Sequence, residues 1–345
     1  MFNNANLIKE TIQAEAYNLG FCLVGFTAPH LIHPSGHFKS WIANGYHAGM
    51  SYLAQENNIH ARYHPEEYFP GAKTIISLAA QFPNPASLAP ETLPETKGRI
   101  ASYAASLDYH EIIPQKHLQL MEIIQQNFNL SIHWKSAVDA NPLPEREIAV
   151  AAGMGWIAKN GMLTTLQHGS ALFLSEIFLD MDLPLDDGFE TEHCGTCTRC
   201  LDACPTRCIL PDRTLDANQC LSYLTIEHRG EIPKQFHESL GDRIFGCDTC
   251  VAVCPWNRKT QTAPRMEEFF ASEESTDFDI EQNLEQITTH FGSFFKHSAI
   301  RRAGKRGFLR NCLIRLSNTQ NPRARHLMQR IIEAVPETRS VTENI

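Results

Sequence analysis

Two short runs of cysteine constrain this chain more than any other feature of its sequence. The first, Cys194-Gly-Thr-Cys197-Thr-Arg-Cys200-Leu-Asp-Ala-Cys204-Pro205, has the C-x2-C-x2-C-x3-C-P spacing that wraps a 4Fe-4S cluster. The second, Cys247-Asp-Thr-Cys250-Val-Ala-Val-Cys254-Pro255, keeps the C-x2-C-x3-C-P part of that pattern. Because soft thiolate sulfur suits iron, the pair of runs predicts a protein that handles electrons one at a time.

The spacing also predicts which cysteines share a cluster, because in two-cluster ferredoxins the fourth cysteine of each run ligates the other cluster. One cluster is then held by Cys194, Cys197, Cys200 and Cys254. The other receives Cys204, Cys247 and Cys250, and its fourth ligand is Cys208 or Cys220. Cys208 follows Cys204 closely, whereas Cys220 can fold back from between the runs, so we predict Cys220. Two zinc sites are the alternative, but the spacing of three successive cysteines in each run and the proline after each run favour iron.

Composition is that of an ordinary globular protein. Of 345 residues, 43% are hydrophobic and 20% are charged, and no run of about 18 apolar residues occurs. The chain does not start with a basic stretch followed by an apolar one, and cluster ligands must stay thiolates. We therefore expect a cytoplasmic protein that does not contact a membrane. With no long heptad pattern, we expect a monomer.

Charge is distributed unevenly along the chain. The net charge is −9, but residues 291–345 carry 11 Lys/Arg and 3 Asp/Glu, which leaves them basic and the remainder strongly acidic. A basic tail on an acidic body is one pattern of a nucleic-acid partner. On charge alone, a solvated helix face is the preferred explanation.

The residues before the cysteine runs alternate between helical and strand patterns. Helical spacing from Leu7 to Leu19, from Leu118 to Phe128 and over Glu145–Ala152 predicts helices; strands are predicted at Cys22–Phe26, Lys73–Ala80, Ser131–Trp134 and Ala171–Leu179. This alternation indicates an α/β or α+β domain over residues 1–182. An acidic linker, Asp182–Glu192, opens a ferredoxin-like iron–sulfur domain over residues 183–262, and residues 263–345 form a basic helical region.

No common motif identifies the cofactor that exchanges electrons with the clusters. No G-x-G-x-x-G follows a predicted strand, so a nicotinamide or flavin Rossmann site is unsupported. The cobalamin signature D-x-H-x-x-G is absent as well. Spacing and composition therefore leave this group unnamed.

Longer phrases in the chain resemble one family. They are Trp41–Tyr52, Tyr103 with Asp108-Tyr-His110, Val138-Asp139 with Pro142–Pro144, Ala151–Asn160, Cys220–Glu227, Gly246–Asn257 and Phe308–Asn311. In this order, over roughly residues 5–318, they resemble the epoxyqueuosine reductase family. The chain departs from that family at Ala48 and Ala158, where glycine is expected. Its tail is also too short for a full helical repeat domain.

The resemblance implies a cobalamin-dependent enzyme with two 4Fe-4S clusters, which reduces epoxyqueuosine in the anticodon loop of tRNA to queuosine and releases the epoxide oxygen as water. It implies a nitroreductase-like amino-terminal domain that holds cobalamin in place of flavin, beside the ferredoxin-like unit. The cobalt would act as a nucleophile or by electron transfer. An external low-potential electron donor would supply the electrons.

The resemblance also assigns residues. Asp139 matches the family's proton donor, with a pKa raised by burial against the corrin and its apolar surroundings; a helix-capping aspartate is the structural alternative. Arg62, Tyr103, Asp139, Lys159, Leu163, Ser222, Tyr223 and Asp248 are the expected cobalamin contacts. The candidate tRNA contacts are Arg301, Arg302, Lys305, Arg306 and Arg310, whose charges neutralise phosphates.

Two other functions are compatible with the same cysteines. A corrinoid reductive dehalogenase shares the plan of cobalamin plus two clusters, but such enzymes are typically exported, and the basic tail fits a small-molecule substrate poorly. A plain electron-transfer subunit would hold iron and sulfide without binding cobalamin. Corrinoid content therefore separates the carrier from the other two.

Overall fold

The computed structural model describes residues 2–85, 93–258, 260, 262–270, 276–319 and 321–343. Its strands are β1 Leu23–Thr27, β2 Thr74–Gln81, β3 Lys97–Ile100, β4 Trp134–Ala137, β5 Trp156–Ile157, β6 Leu163–Thr164, β7 Leu172–Leu179, β8 Arg243–Phe245 and β9 Asp277–Asp279. Its helices are α1 Phe2–Asn18, α2 His37–Ala43, α3 Glu56–Tyr63, α4 Tyr109–Phe128, α5 Glu145–Ala151, α6 Arg199–Ala203, α7 Leu221–Ile226, α8 His237–Leu240, α9 Thr249–Ala252, α10 Leu284–Thr289, α11 Phe291–Phe294, α12 Gly304–Ser317, α13 Pro322–Ala334 and α14 Arg339–Glu343. Among these described helices, none combines the length and the apolar character that crossing a membrane requires.

The larger sheet has the strand order β1-β2-β7-β4, and all of its neighbouring strands are antiparallel. Because side chains alternate along β2, Ile76 packs into the core with α1 and α4, whereas Ile75 packs with Ile148 of α5 on the opposite face. The α/β alternative is therefore wrong for this sheet, since a parallel arrangement would need crossover connections. The domain is α+β.

Most of the predicted elements are confirmed to within a few residues, namely α1, β1, β2, α5 and β7. The strand expected at Ser131–Trp134 is instead Trp134–Ala137, where it pairs with Leu179 to Glu176 of β7. Helix α4 starts at Tyr109, well before Leu118, because Asp108 caps it by accepting a hydrogen bond from His110 N. The proline at position 114 hid these first turns from the periodicity.

The predicted linker, Asp182–Glu192, contains no helix or strand, but it is held against the sheet domain. Asp186 accepts a hydrogen bond from Phe26 N at 2.9 Å, and Phe189 N donates to Val150 O at 2.9 Å. The segment therefore delivers the first cysteine run to a fixed place beside the sheet.

A second core joins segments that lie far apart in sequence. The small sheet β8-β3-β9 and helices α7, α8 and α10–α14 contribute to one apolar cluster, which includes Ile100, Leu224, Phe245 and Phe308. The tail is helical, as predicted, and this core ties it to residues 100–104 and 217–245. The boundaries at residues 182 and 262 stay predictions.

Candidate active site

A cavity of about 1330 Å³ lies between the sheet domain, the cysteine-rich segment and the start of the carboxy-terminal region. It exceeds the roughly 300–1,000 Å³ of most small-molecule pockets, so it has room for a large cofactor. Its apolar walls include Met50, Leu53, Leu163 and Phe173. Polar groups converge on it from all three parts of the chain.

Only one of the two predicted cysteine sets faces this cavity. Cys204, Cys220, Cys247 and Cys250 line it, together with Cys208, whereas Cys194, Cys197, Cys200 and Cys254 are outside its described lining. The short helices α6 and α9 pack against each other and bring the two runs together. A cluster held by the second set would therefore lie next to a molecule in the cavity.

Electrostatic contacts divide the thiols in the same way. Burial raises the pKa of Cys254, and the Cys194 and Cys197 thiolates raise it further. Burial also raises the pKa of Cys250, whose charged neighbours begin with Cys247 and Cys220. The strongest of these interactions pair Cys254 with Cys194 and Cys197, and Cys250 with Cys247 and Cys220, although Cys200 also raises the pKa of Cys250.

Cys208 and Cys220, the two candidates for the fourth ligand of the second cluster, both lie close to the other cysteines of that set. Cys208 Sγ lies 3.5 Å from Cys204 Sγ, and the Cys208 thiol also hydrogen-bonds to Cys220. Proximity in sequence therefore does not keep Cys208 away from the group, contrary to the argument from spacing. Cys208 is buried and Cys220 is half-buried.

Asp139 lines the same cavity as these cysteines and lies in the loop between β4 and α5. Its φ of 49° is left-handed, a conformation that aspartate adopts more readily than most residues. The carboxylate accepts a hydrogen bond from Tyr109 OH at 2.6 Å and lies 3.3 Å from His110 Nε2. Its backbone N–H donates to Glu145 at 2.5 Å. The first turn of α4 and the start of α5 thus hold Asp139 from two sides.

The protein's own contacts lower the pKa of Asp139, and the rise expected from burial against the corrin stays a prediction. Burial does act in that direction, but hydrogen bonds from His110 and Tyr109 and the charges of His110 and Arg302 outweigh it, so the pKa is lowered. The carboxylate is accordingly ionised near neutral pH.

The proton is held instead by the neighbours of Asp139. Burial lowers the pKa of His110, but Asp108, whose Oδ1 lies 2.7 Å from Nδ1, and Asp139 on the other side together raise it to about 9. Burial and the charge of Asp139 raise the pKa of Glu145 to about 8. A cationic imidazole therefore bridges two carboxylates at the cavity wall.

Seven of the eight residues predicted to contact cobalamin line the cavity; they are Arg62, Tyr103, Asp139, Leu163, Ser222, Tyr223 and Asp248. Local contacts fix several of them. Arg62 Nη1 donates to Leu143 O at 3.1 Å, and Asp248 accepts from Ser102 N at 2.7 Å. The hydroxyl of Tyr223 accepts from Gly49 N at 2.8 Å, an approach that a Cβ at residue 49 would block.

Lys159 is the exception, because it is outside the described lining of the cavity, and its contact with cobalamin stays a prediction. Its ammonium donates to Gly195 O at 2.6 Å and to Cys197 O at 3.0 Å, so it is attached to the first cysteine run. Lys159 therefore supports the loop of the first set, and the neighbouring Asn160 lines the cavity and donates to Cys250 O at 3.3 Å.

The basic residues proposed for tRNA separate into exposed and buried ones. Arg301 and Arg302 are exposed and line the cavity mouth, and Arg306 is exposed on α12 near the half-buried Lys305. Arg302 forms two hydrogen bonds with Glu227, at 2.6 and 3.2 Å. These side chains are accessible to a polyanion.

Arg310 is not accessible, and its expected phosphate contact is corrected. Only 2% of the residue is exposed, and its guanidinium donates to His228 O, Gly230 O and Leu224 O. Burial lowers its pKa to about 10, and the carbonyls satisfy its donors. Arg310 is therefore a structural residue that ties α12 to α7.

Sequence reasoning did not assign a role to Tyr109, His110 and Glu145. The motif Asp108-Tyr-His110 was visible as a family phrase, but nothing local in it shows that α4 begins there or that its first turn meets Asp139. Glu145 was read only as the start of a helix. These roles follow from the packing of α4 and α5 on the sheet.

The residues present fit a corrin-sized group. The cavity is large and mostly apolar, and the buried Nε of Arg62 has no partner among the described atoms, which leaves a donor for a bound group. Ala48, where the family favours glycine, has a φ of 53° and so keeps the left-handed turn despite its Cβ. The second cysteine set lines the same cavity.

These features define a redox protein of the double-cluster iron–sulfur class, with a large cofactor cavity beside one cluster site. A family model described as 4Fe-4S double cluster binding domain matches residues 193–257, and one described as epoxyqueuosine reductase QueG matches residues 62–140. The epoxyqueuosine reductase of Pseudomonas aeruginosa is 36% identical over 313 residues, which cover 90% of this chain and 85% of that protein. That of Escherichia coli is 35% identical over 328 residues, with 91% and 82% covered.

Solved structures agree. Epoxyqueuosine reductase from Streptococcus thermophilus has a TM-score of 0.79 at 28% identity, covering 96% of this chain and 90% of that one. An epoxyqueuosine reductase bound to an epoxyqueuosine-modified tRNA-Tyr stem loop has a TM-score of 0.79 at 27% identity, with 97% and 94% covered. The Bacillus subtilis enzyme, with its aspartate-bearing catalytic loop swung out of the active site, has a TM-score of 0.80 at 26% identity, with 97% and 91% covered. The chain belongs to the epoxyqueuosine reductase family.

Proposed function

We propose that this protein reduces epoxyqueuosine in the anticodon loop of tRNA to queuosine, with two 4Fe-4S clusters and cobalamin as cofactors. The observation that carries the proposal is the cavity itself, which is lined both by cluster cysteines and by an Asp139–His110 proton site. Removal of an epoxide oxygen needs a source of electrons and a source of protons, because epoxide plus two electrons and two protons gives alkene plus water.

Cobalamin bound in the cavity would supply the reduced metal that delivers electrons to the epoxide carbon. Tyr103, Leu163, Ser222, Tyr223, Arg62 and Asp248 are positioned to hold it. The second cysteine set, with Cys220 as its fourth ligand, lies on the cavity side, and the set of Cys194, Cys197, Cys200 and Cys254 lies behind it. This order supports electron entry at the outer cluster and exit through the inner one.

Protons would reach the leaving oxygen through Asp139. Because the carboxylate is ionised in this geometry, we infer that His110 transfers a proton to it across the 3.3 Å contact, and Asp139 then donates to the oxygen. Asp108 stabilises the imidazolium during this cycle. The loop of Asp139 would have to keep its contacts with Tyr109 and Glu145 for the transfer to occur.

The tRNA would approach the cavity mouth from the side of the carboxy-terminal region. Arg301, Arg302, Lys305 and Arg306 supply positive charge there, and binding should weaken steeply with salt. The modified base must leave the loop to reach the cavity, as bases do for single-stranded readers. The relative that is bound to an epoxyqueuosine-modified tRNA stem loop supports tRNA as the substrate.

The remaining assignments complete the proposal. The sheet domain is of the nitroreductase-like type, residues 183–262 form the ferredoxin-like unit, and residues 263–345 form the basic helical region. An external low-potential donor reduces the clusters, and the protein acts as a cytoplasmic monomer.

The test is an anaerobic turnover assay. Reconstituted protein, cobalamin and a strong reductant are mixed with tRNA that carries epoxyqueuosine, and the digested nucleosides are weighed by mass spectrometry. We expect a cobalamin-dependent loss of one oxygen atom. An unchanged nucleoside, with both clusters and the corrinoid verified as bound, would refute the proposal and leave a dehalogenase or a carrier to be tested.

A further inference from the structure

The surface behind Arg62 carries a group of potential metal ligands that the proposed reaction does not use. His60 and His64 stand one turn apart at the end of α3, and Glu67 follows in the next turn of chain. Each offers one ligand atom, and these three atoms all lie within 4.8 Å of one another. Over the described residues, no other group of His, Cys, Asp and Glu meets this condition.

The local geometry already brings the donors together. The rings of His60 and His64 stack with centroids 4.2 Å apart, and His60 Nε2 lies 2.9 Å from Glu67 Oε2. The ligand atoms of a tetrahedral zinc site are about 3.4 Å apart, given bonds of about 2.0–2.1 Å. All three side chains are at least 44% exposed, so rotation about their own bonds brings the atoms to this spacing.

The donor set specifies the class of ion. Two imidazole nitrogens with one carboxylate suit zinc and its divalent transition-metal neighbours, whereas Mg²⁺ and Ca²⁺ prefer oxygen ligands alone. Histidines four residues apart at a helix are a recurrent zinc arrangement. Glu66, 3.1 Å from His64 Nδ1, adds an outer carboxylate of the kind that orients a ligating imidazole.

We propose that His60, His64 and Glu67 bind one zinc-class divalent ion, which clamps the end of α3 to the turn that follows it. The clamp has a consequence for the cavity, because Arg62 lies between the two histidines and points the other way. Arg62 lines the cavity and donates to Leu143 O, in the same loop as Asp139. A bound ion would therefore restrain the wall segment that meets the Asp139 loop.

The experiment measures Zn²⁺ binding by calorimetry on the anaerobic holoenzyme, with iron and sulfide quantified so that cluster cysteines are occupied. The test variant is H60A/H64A, and the matched control is H33A, which removes an exposed histidine outside the group. Since α3 has no buried residue, the test variant should fold and retain its clusters.

We expect one zinc per chain in the wild type and in H33A, and binding at least about tenfold weaker in H60A/H64A. E67Q should weaken binding as well, and affinity should fall with pH because protonated imidazoles do not ligate. Hydrogen exchange over residues 56–67 should slow on adding zinc to the wild type and to H33A but not to H60A/H64A. Equal zinc binding by wild type and H60A/H64A would overturn the site, and unchanged exchange in zinc-loaded wild type would overturn the clamp.

Discussion

The substitution H110Q tests the proposed proton path most directly. Glutamine keeps an N–H that can donate to Asp139, but it carries no titratable proton. The structure predicts two separable effects, one on stability and one on the pH dependence of turnover. Both arise because His110 is held between Asp108 and Asp139.

The stability effect is modest. The side chain of His110 is 37% exposed, so solvent screening limits each of its two ion pairs to about 1 kcal/mol. Because the pKa of His110 is raised in the folded protein, this stabilisation is complete below the unfolded value near 6.5 and is lost as pH rises through about 9. H110Q should therefore unfold more easily than the wild type at pH 6, and the difference should vanish above about pH 9.

The catalytic effect is larger. Loss of a positioned proton donor typically lowers the rate by about 10²- to 10⁴-fold. In the wild type, single-turnover rates should fall as pH rises through about 9, where His110 loses its proton. In H110Q, the donor is Asp139 alone, a carboxylic acid that is mostly ionised at neutral pH. The falling limb should therefore move to acidic pH, so that the variant recovers part of its rate there.

The assay is anaerobic single turnover on tRNA that carries epoxyqueuosine, from about pH 5.5 to about pH 9.5. Iron, sulfide and cobalamin contents are measured for each protein. The matched control is H133Q, which removes another histidine paired with an aspartate, Asp180, at the edge of the sheet. A rate and pH profile for H110Q equal to those of the wild type would refute the proton path. A changed profile in H133Q would show that the effect is not specific to His110.

Further expected outcomes concern the clusters and the tRNA surface. C220A should lose one cluster by iron analysis and electron paramagnetic resonance while C208A keeps both; the reverse pattern would make Cys208 the ligand. K159A should disturb the signal of the outer cluster without changing cobalamin affinity, since Lys159 binds the backbone of the first run; weakened cobalamin binding would return it to the cavity. R301A should fold normally and lower the salt dependence of tRNA binding, measured as the slope of log affinity against log salt, by about one. R310A should lower the free energy of unfolding by about 3 kcal/mol or more, because three buried carbonyls lose their donor. Equal stability of these two arginine variants would contradict the burial argument.

The sequence was most informative where function depends on local spacing. The C-x2-C patterns predict cluster ligands because residues within one turn can point several sulfurs at the same metal. Strand and helix periodicity predicts β2, β7 and α5 because each buries one face locally. The start of α4 was missed because a proline interrupts the pattern and the cap at Asp108 is a single side chain.

Burial could not be read from charge patterns. Arg310 belongs to the same basic run as Arg306, yet one is enclosed by the turn after α7 and the other is exposed. The two residues are one helical turn apart and so share a face of α12, and only packing against α7 and the turn after it decides which of them meets water. Packing likewise decides that Lys159 reaches the first cysteine run while its neighbour Asn160 lines the cavity.

The sequence by itself determined the chemistry, namely two sets of cluster cysteines, a family phrase around Asp139 and a basic tail. Only the tertiary structure decided which cysteine set faces the cavity and that His110, not Asp139, holds the proton at neutral pH. The physical reason is that ligand type depends on residue identity and short spacing. The burial of a side chain, the direction in which it points and its pKa depend instead on neighbours brought together from distant parts of the chain.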